Sequence, residues 1–436
     1  MRRVEETQIA ISPVGNAPAF QRVTSVDVLR GMDMFWIIGA DSFVYALNRM
    51  AQTPTTQFLA RQLDHAEWEG FHFYDLIFPL FLFIVGVSLV FSLAKKEVSG
   101  RRDVLSRIFR RSVLLFLLGI FYSGGLSNAW PDIRLMGVLN RIALAYLFSA
   151  LLFYFFKPRA LAAIALGLLA GYWALLTFVP IRDVQLTKVD LALRAEQAGD
   201  INTAMHLREN GNFSAVKDSP AWAGAKQIFY STVDRVTGKY GKGHNVADHF
   251  DFQFLPGRKY DVFFDPEGLL STLPAIVSCL LGVFAGLLLR SQSVSANRKV
   301  IYLICSGIAA AALGWLWNIQ IPVIKKIWTP SYTLVAGGYS TVLLGVFYFI
   351  VDVWQARTWC RPFMWIGMNS IAIYLASNMV GGFRKLATRL AGGDVSGFFD
   401  SHFAKGFGEM TVSAAGLILA FWLAHFLYRR KIFLRL

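Results

Sequence analysis

Along the chain, apolar residues gather into long runs separated by short polar or basic connections. A helix needs about 20 mostly apolar residues to cross a hydrocarbon core roughly 30 Å thick. Ten runs approach that length, at 29–47, 72–94, 112–126, 137–156, 160–180, 268–289, 299–317, 331–353, 363–380 and 411–428. Asp33 and Asp41 interrupt the first, and the third is short and glycine-rich. The pattern predicts an all-α, polytopic membrane protein of about ten transmembrane helices. One long polar stretch, about 182–265, separates the fifth and sixth runs, and short helices are expected within it around 189–210.

Composition narrows the class. Hydrophobic residues make up 55% of the 436 and charged residues only 16%, with mean hydropathy +0.46; soluble domains carry about 25% charge. A soluble enzyme, a disordered chain and a fibrous repeat are excluded. The net charge of +15 would suggest a nucleic-acid partner in a soluble protein, but no nucleic-acid motif accompanies it. Much of the excess lies instead in short connections: 95–111 holds seven basic residues against Glu97 and Asp103. The connections at 157–159, 290–299 and 357–361, the tail after 428, and Arg2, Arg3 and Arg22 fall on that same side if there are ten spans. The positive-inside rule makes that side the cytoplasm and places both termini there. Residues 1–22 then form a cytoplasmic tail, 23–436 a membrane domain, and 182–265 an outer loop. No cleaved signal peptide is expected, and Cys279, Cys305 and Cys360 form no disulfide or metal-ligand pattern.

Ionisable groups in or beside spans are costly and mark candidate chemistry. Asp33 and Asp41 sit about 12 Å apart along a helix; Asp33 has Arg30 as a local partner, whereas Asp41 has no cation within a turn or two. A dense polar stretch precedes the second span, with His65, Glu67, Trp68, Glu69, His72 and Asp75. A histidine there can move a proton near neutral pH, and a carboxylate can hold its tautomer. The competing reading is a solvated loop with Trp68 as membrane anchor. His65 and His72 are seven residues apart without a ligand-like repeat, which disfavours a metal. Arg141 either pairs with a carboxylate or receives an anion. Glu267 suits both a site and a helix start behind Pro266. Asn369 and Ser370 read as a site or as hydrogen bonds between spans. No nucleotide-binding, hydrolase or metalloprotease motif is present.

These same segments carry a resemblance. The run Arg22-Val-Thr-Ser25-Val-Asp27-Val-Leu-Arg30-Gly31 is similar to the R-x-x-S-[VL]-D-x-x-R-G opening of the heparan-α-glucosaminide N-acetyltransferase family and its bacterial relatives. His65-Ala-Glu-Trp68-Glu-Gly70 followed by Asp75-Leu-Ile-Phe-Pro79 resembles the family's H-A-x-W-x-G…D-L-x-x-P. Gly137-Val-Leu-Asn-Arg141, the run from Asp265 to Thr272, Lys326-Ile-Trp328-Thr-Pro-Ser331-Tyr, Gly367-Met-Asn-Ser370 and Tyr428-Arg-Arg-Lys-Ile-Phe follow in the family's order.

The resemblance implies that acetyl-CoA, bound from the cytosol, gives its acetyl group to a glucosamine-type amine on the far side. It places the catalytic histidine on His65, as a general base for direct transfer or as a nucleophile that carries the acetyl group transiently. A family asparagine corresponds by counting to Asp41, so the chain departs from the pattern there. Trp68, Asp75, Arg141, Glu267 and Asn369 become the expected acceptor-binding residues. Lys95, Lys96, Arg110 and Arg111 are candidates for the CoA phosphates by charge, and as topology signals they need no ligand. The expected setting is a bacterial inner membrane, with an amino sugar and the lipid bilayer as partners, no metal, and a homodimer left open. Two rival readings share the cavity: an amino-sugar transporter with no acyl donor, and an O-acyltransferase of an envelope glycan.

Overall fold

The computed structural model describes residues 23–94, 100–127, 129–208 and 219–434. Helices dominate them. In chain order they are α1 (Thr24–Phe35), α2 (Asp41–Met50), α3 (Pro54–Leu63), α4 (Ile77–Ala94), α5 (Arg101–Tyr122), α6 (Val138–Phe155) and α7 (Pro158–Phe178). Next come four short helices, α8 (Lys188–Gln197), α9 (Ile201–Arg208), α10 (Pro220–Ser231) and α11 (Val246–Phe254). The remainder are α12 (Thr272–Arg290), α13 (Ala296–Trp317), α14 (Pro330–Phe347), α15 (Arg361–Met368), α16 (Ser370–Met379), α17 (Phe383–Ala391), α18 (Val395–His402) and α19 (Phe407–Arg429). Two two-residue strands, β1 (Ile181–Arg182) and β2 (Arg235–Val236), pair antiparallel with Ile181 opposite Val236.

Seven helical stretches among the described residues are long and apolar enough to cross a membrane: Phe73–Leu93, Val138–Phe155, Pro158–Phe178, Thr272–Arg290, Ala296–Trp317, Pro330–Val353 and Phe407–Arg429. The protein is a multi-pass, all-α membrane protein. The other three predicted runs are also helical, but each is interrupted or charged. The first is broken between α1 and α2, where Gly39 adopts φ 120°, ψ 18°, a conformation that excludes a side chain. The ninth is broken at Asn369, between α15 and α16. The third starts at Arg101 rather than at 112, so Arg101, Arg102, Arg107, Arg110 and Arg111 lie on a helix and not in a connection. Arginine is a good helix former, and Asp103 in the first turn complements the helix dipole. Apolarity alone does not reveal such a turn-rich basic start.

The two broken helices pack on each other at a glycine crossing. A Cβ on Gly31 would overlap the Phe363 carbonyl, and one on Gly367 the Asp27 carbonyl. Small residues at such crossings let helix backbones approach closely within a bilayer. The largest buried cluster joins α1, α4, α6, α12 and α14 through Leu29, Leu82, Phe83, Ile142, Leu280 and Val335. Exposed apolar residues such as Leu166, Ile308, Leu316, Ile418 and Trp422 cover the outside of the bundle, where lipid takes the place of water.

The described residues of 181–264 cap one end of the bundle, and the short helices expected near 189–210 are α8 and α9. A separate core of Leu191, Trp222, Phe229, Phe252 and Phe263 holds the cap together. A third cluster, with Tyr172, Leu176, Ile181, Val246, Ile321 and Ile327, seats it on the bundle. Trp68 packs against that cluster and donates from Nε1 to the Tyr240 carbonyl at 2.7 Å.

Replacing Gly31 by valine is expected to lower the melting temperature of the detergent-solubilised protein by several degrees, since the clash is with backbone and cannot be relieved by a rotamer change. Gly167→Val on α7, where an added Cβ meets nothing within 4 Å, is the matched control and should melt like wild type. Equal melting of both variants would contradict the crossing.

Candidate active site

Four segments meet at the capped end: the stretch from Asp64 to Asp75 before α4, the approach to α6, the turn from Asp265 to Ser271 before α12, and the link from Asn318 to Thr329 before α14. Each begins a span, so its polar groups leave the bilayer as the helix enters it. Backbone pairing fixes two of the segments together, with Glu69 opposite Ile324 in an antiparallel bridge and Gly70 N–H donating to the Val323 carbonyl at 2.9 Å.

Asp75 organises the first segment. Its carboxylate is buried, and Oδ2 accepts the N–H groups of Ala66 at 3.1 Å and His72 at 3.0 Å. The acid thereby caps the tight turn Phe73–Leu76 that leads into α4. Oδ1 faces His65 Nδ1 at 2.9 Å and Lys325 Nζ at 3.4 Å. Tyr332 on α14 donates its hydroxyl to the Asp75 carbonyl at 2.8 Å. The His65 ring is half-exposed and lies 5.0 Å, centroid to centroid, from Tyr74. Tyr74 in turn reaches Asp41 Oδ2 at 3.4 Å. Asp41 opens α2 directly after the Gly39 break and accepts the Ser42 N–H at 2.7 Å. Asp41 thus meets His65 only through Tyr74 among the described residues.

Lys325 lies within reach of both ring nitrogens, 2.9 Å from Nδ1 and 3.3 Å from Nε2. Burial pushes its ammonium below the usual lysine range, against the pull of Asp75 and Glu267. It hangs from a strained turn: Trp328 has φ 51°, its N–H donates to the Lys325 carbonyl at 3.0 Å, and its indole is buried with Nε1 on Ser278 at 3.1 Å. A tryptophan at positive φ persists only where its surroundings hold it there. In the sequence Lys325 stands out only together with Lys326, in the polar stretch from Trp317 to Tyr332, and no role falls to it there. Its signal was a pair of lysines, Lys325 and Lys326, on the side where the other short connections carry little positive charge.

A cavity of about 210 Å³ joins His65, Lys325, Glu267, Tyr74, Ser370 and Tyr374 at one end to Met34, Ile37, Phe78, Phe81 and Ile142 deeper in the bundle. Val138 and Leu139 also line it, and they line a second, more polar cavity of about 380 Å³ with Arg134, Arg258, Lys259 and Tyr260. Arg134 holds the wall between them. It grips Asp265 with Nε at 2.9 Å and Nη2 at 2.7 Å, and Nη2 also donates to Glu267 at 2.6 Å. Burial, with Asp265 beside it, pushes the Glu267 carboxyl up against the opposing Arg141 and Arg134.

The remaining expected residues separate. Trp68 is not in the cavity wall; it fastens the cap, as above. Arg141 is fully buried and, among the described residues, forms no salt bridge with a carboxylate: Nη2 donates to the Gly268 carbonyl at 3.2 Å and to the Ser271 hydroxyl, and the guanidinium stacks on Trp328 at 4.9 Å. It shapes the 268–271 turn from behind. Among the described residues Asn369 makes no side-chain hydrogen bond between spans and neither amide atom has a partner; it sits buried at the helix break, and its neighbour Ser370 lines the cavity instead. Asp33 is likewise buried with no hydrogen-bond partner among the described residues, while Arg30 reaches Asp27 at 3.6 Å and donates to Ser88 and Gly367. Arg110 is exposed, whereas Arg111 lies about 15 Å along α5, turned inward over Tyr146 at 4.6 Å. Lys95 and Lys96 lie outside the described residues.

With this geometry in view, comparison with known proteins is informative. Residues 22–190 match a family model described as heparan-alpha-glucosaminide N-acetyltransferase, catalytic. The human heparan-alpha-glucosaminide N-acetyltransferase is 26% identical over 437 residues, covering 94% of this chain and 59% of the human protein. The mouse protein of the same name is 26% identical over 392 residues, covering 85% of this chain and 56% of its own. The chain therefore spans less than two thirds of the length of these relatives. The chain is thus similar to that N-acetyltransferase along nearly its whole length.

Asp251 on α11 ties the cap to the site: its carboxylate accepts Leu269 N–H at 3.0 Å and Asp265 N–H at 3.4 Å. Burial raises the Asp251 carboxyl from the ordinary 3.8 to about 7. The folded state therefore holds this proton more tightly than the unfolded chain. Its stabilising contribution is complete below about pH 4 and is lost as pH rises through about 7. Asp251→Asn should be least stable relative to wild type at low pH, with the gap in melting temperature closing or reversing towards pH 8. A gap that stays constant from pH 4 to pH 8 would show that Asp251 does not titrate in this way.

Proposed function

We propose that this protein is a transmembrane N-acetyltransferase that moves an acetyl group from cytosolic acetyl-CoA to the amine of a glucosamine-type sugar. The observation that carries the reading is the cavity itself. A histidine oriented by a buried carboxylate stands at its polar end, and an apolar slot leads from there into the bundle. His65 with Asp75 suits acid–base work, because the carboxylate beside Nδ1 fixes ring and tautomer. The apolar slot suits the thin arm of an acyl thioester, and the wider polar cavity beside Arg134 and Tyr260 suits a hydroxyl-rich acceptor.

In this reading the capped end faces the periplasm of a bacterial inner membrane, both termini are cytoplasmic, and the donor approaches from the opposite end. There the basic residues, with Arg111 nearest the interior, complement its phosphates. The acceptor nitrogen attacks the acetyl carbonyl carbon, a C–N bond forms, and the C–S bond breaks. His65 takes the proton from the amine. Asp41, reaching the site beside Tyr74, receives the acceptor's ammonium, which gives up one proton to water before its nitrogen attacks; the second is the one His65 takes. An aspartate suits that role better than a neutral amide, because its charge attracts the ammonium directly. Glu267 and Ser370 offer hydrogen bonds to sugar hydroxyls along the same wall.

The test is transfer of labelled acetyl from acetyl-CoA to glucosamine by purified protein. Wild type should transfer, and His65→Ala should lose on the order of 10²–10⁴-fold in kcat, the usual worth of a positioned acid–base group. Asp41→Asn should raise KM for the acceptor more than it lowers kcat. If wild type instead carries glucosamine across proteoliposome membranes without acetyl-CoA, the transporter reading replaces this one.

A further inference from the structure

Lys325 has no part in the mechanism above, yet its ammonium lines the same cavity as His65. The Asp75 carboxylate cannot fully serve both neighbours. Its Oδ2 is already taken by Ala66 and His72 N–H groups, so His65 Nδ1 and Lys325 Nζ converge on Oδ1, at 2.9 and 3.4 Å. The lysine also lies 2.9 Å from Nδ1 and 3.3 Å from Nε2, so whichever ring nitrogen carries the lone pair has a proton donor beside it. Structural charge balance alone explains one ammonium near Asp75. It does not require that ammonium to line the cavity and touch the imidazole as well. Among the other charged groups nearby, Glu267 stabilises the ammonium and Lys326 opposes it, but Lys326 is engaged with Asp261 at 3.2 Å.

We propose that Lys325 is the general acid of the reaction, giving its proton to the departing thiolate while His65 takes one from the amine. The inference rests on the acetyltransferase reading. As the C–S bond breaks, sulfur leaves with the electron pair and accepts a proton from Lys325 Nζ. The amine proton moves to His65 as the C–N bond forms. The imidazolium then returns that proton from Nε2 to the neutral lysine across the 3.3 Å contact, and both groups are restored with Nδ1–H still on Asp75. No further reactant is consumed. Burial lowers the proton affinity of Lys325 towards that of a thiol, which favours donation.

Lys325→Arg separates this role from that of a fixed charge. Arginine keeps a cation beside Asp75, but its guanidinium does not release a proton in proteins. Transfer to glucosamine is measured with acetyl-CoA and, in parallel, with S-phenyl thioacetate, whose aryl thiolate departs without needing a proton. With acetyl-CoA, Lys325→Arg should lose on the order of a hundredfold; with the aryl thioester it should stay near wild type. Lys325→Gln should show the same dependence on donor, which keeps the test available if the arginine variant does not fold. Equal losses with both donors, or no loss with acetyl-CoA, would overturn the assignment while leaving the acetyltransferase reading intact. A wild type that transfers from neither donor overturns that reading and this one with it.

Discussion

The site depends on one buried carboxylate. Asp75 closes the turn that starts α4, receives two backbone N–H groups of its own loop, and presents its last oxygen to His65 and Lys325. Those two side chains come from segments 260 residues apart in the chain, so the carboxylate joins the N-terminal part of the bundle to its middle. Burying such a charge without partners would be strongly unfavourable. The loop around it is therefore arranged to satisfy every direction the carboxylate offers. A reactive histidine gains orientation from the same arrangement, because a ring nitrogen bound to a fixed acceptor cannot rotate freely.

A second network of the same kind supports the opposite wall. Arg134 forks onto Asp265 and reaches Glu267, while Asp251 of the cap accepts N–H groups from the turn that carries them. The cap at 181–264 is thus more than a covering. It fixes the Asp265–Ser271 turn from above, and Arg141 fixes it from below through Gly268 and Ser271. Trp68 adds a direct bond between the histidine loop and the cap at Tyr240. The polar end of the cavity is consequently walled by groups whose own partners are already in place, which is the condition for a preorganised site.

Elsewhere the bundle leaves polar groups unsatisfied, and these lie where helices break or cross closely. Asp33 and Asn369 are both buried without hydrogen-bond partners, on the two helical rods that meet at Gly31 and Gly367. The break at Gly39 has a clear local consequence. It ends α1, starts α2, and so brings Asp41 to a helix start, where its charge is favoured by the dipole and by the Ser42 N–H. An unbroken helix would have left that carboxylate facing helical neighbours with no exposed backbone donors.

Much of this was legible in the amino-acid order. Runs of about twenty apolar residues must cross a bilayer or be buried, so the all-α multi-pass architecture and the place of the cap follow from hydropathy alone. His65, Asp75 and Glu267 stood out because ionisable groups beside spans are costly, and they do line or support one cavity. Arg141 stood out for the same reason, and Trp68 and Asn369 as polar or amphipathic residues at or within spans, but such a signal says only that a group needs an explanation, not which one. Whether a tryptophan faces a sugar or fastens a cap depends on what packs against it. Lys325 was visible only as one of two lysines before a span, and its role was not, for a related reason. Its importance lies in a 2.9 Å approach to a ring from another segment, and no local pattern encodes a distance across 260 residues. The order of residues determined where helices and charges must lie along the bilayer normal, through solvation; only packing of the helices decided which charges face one another.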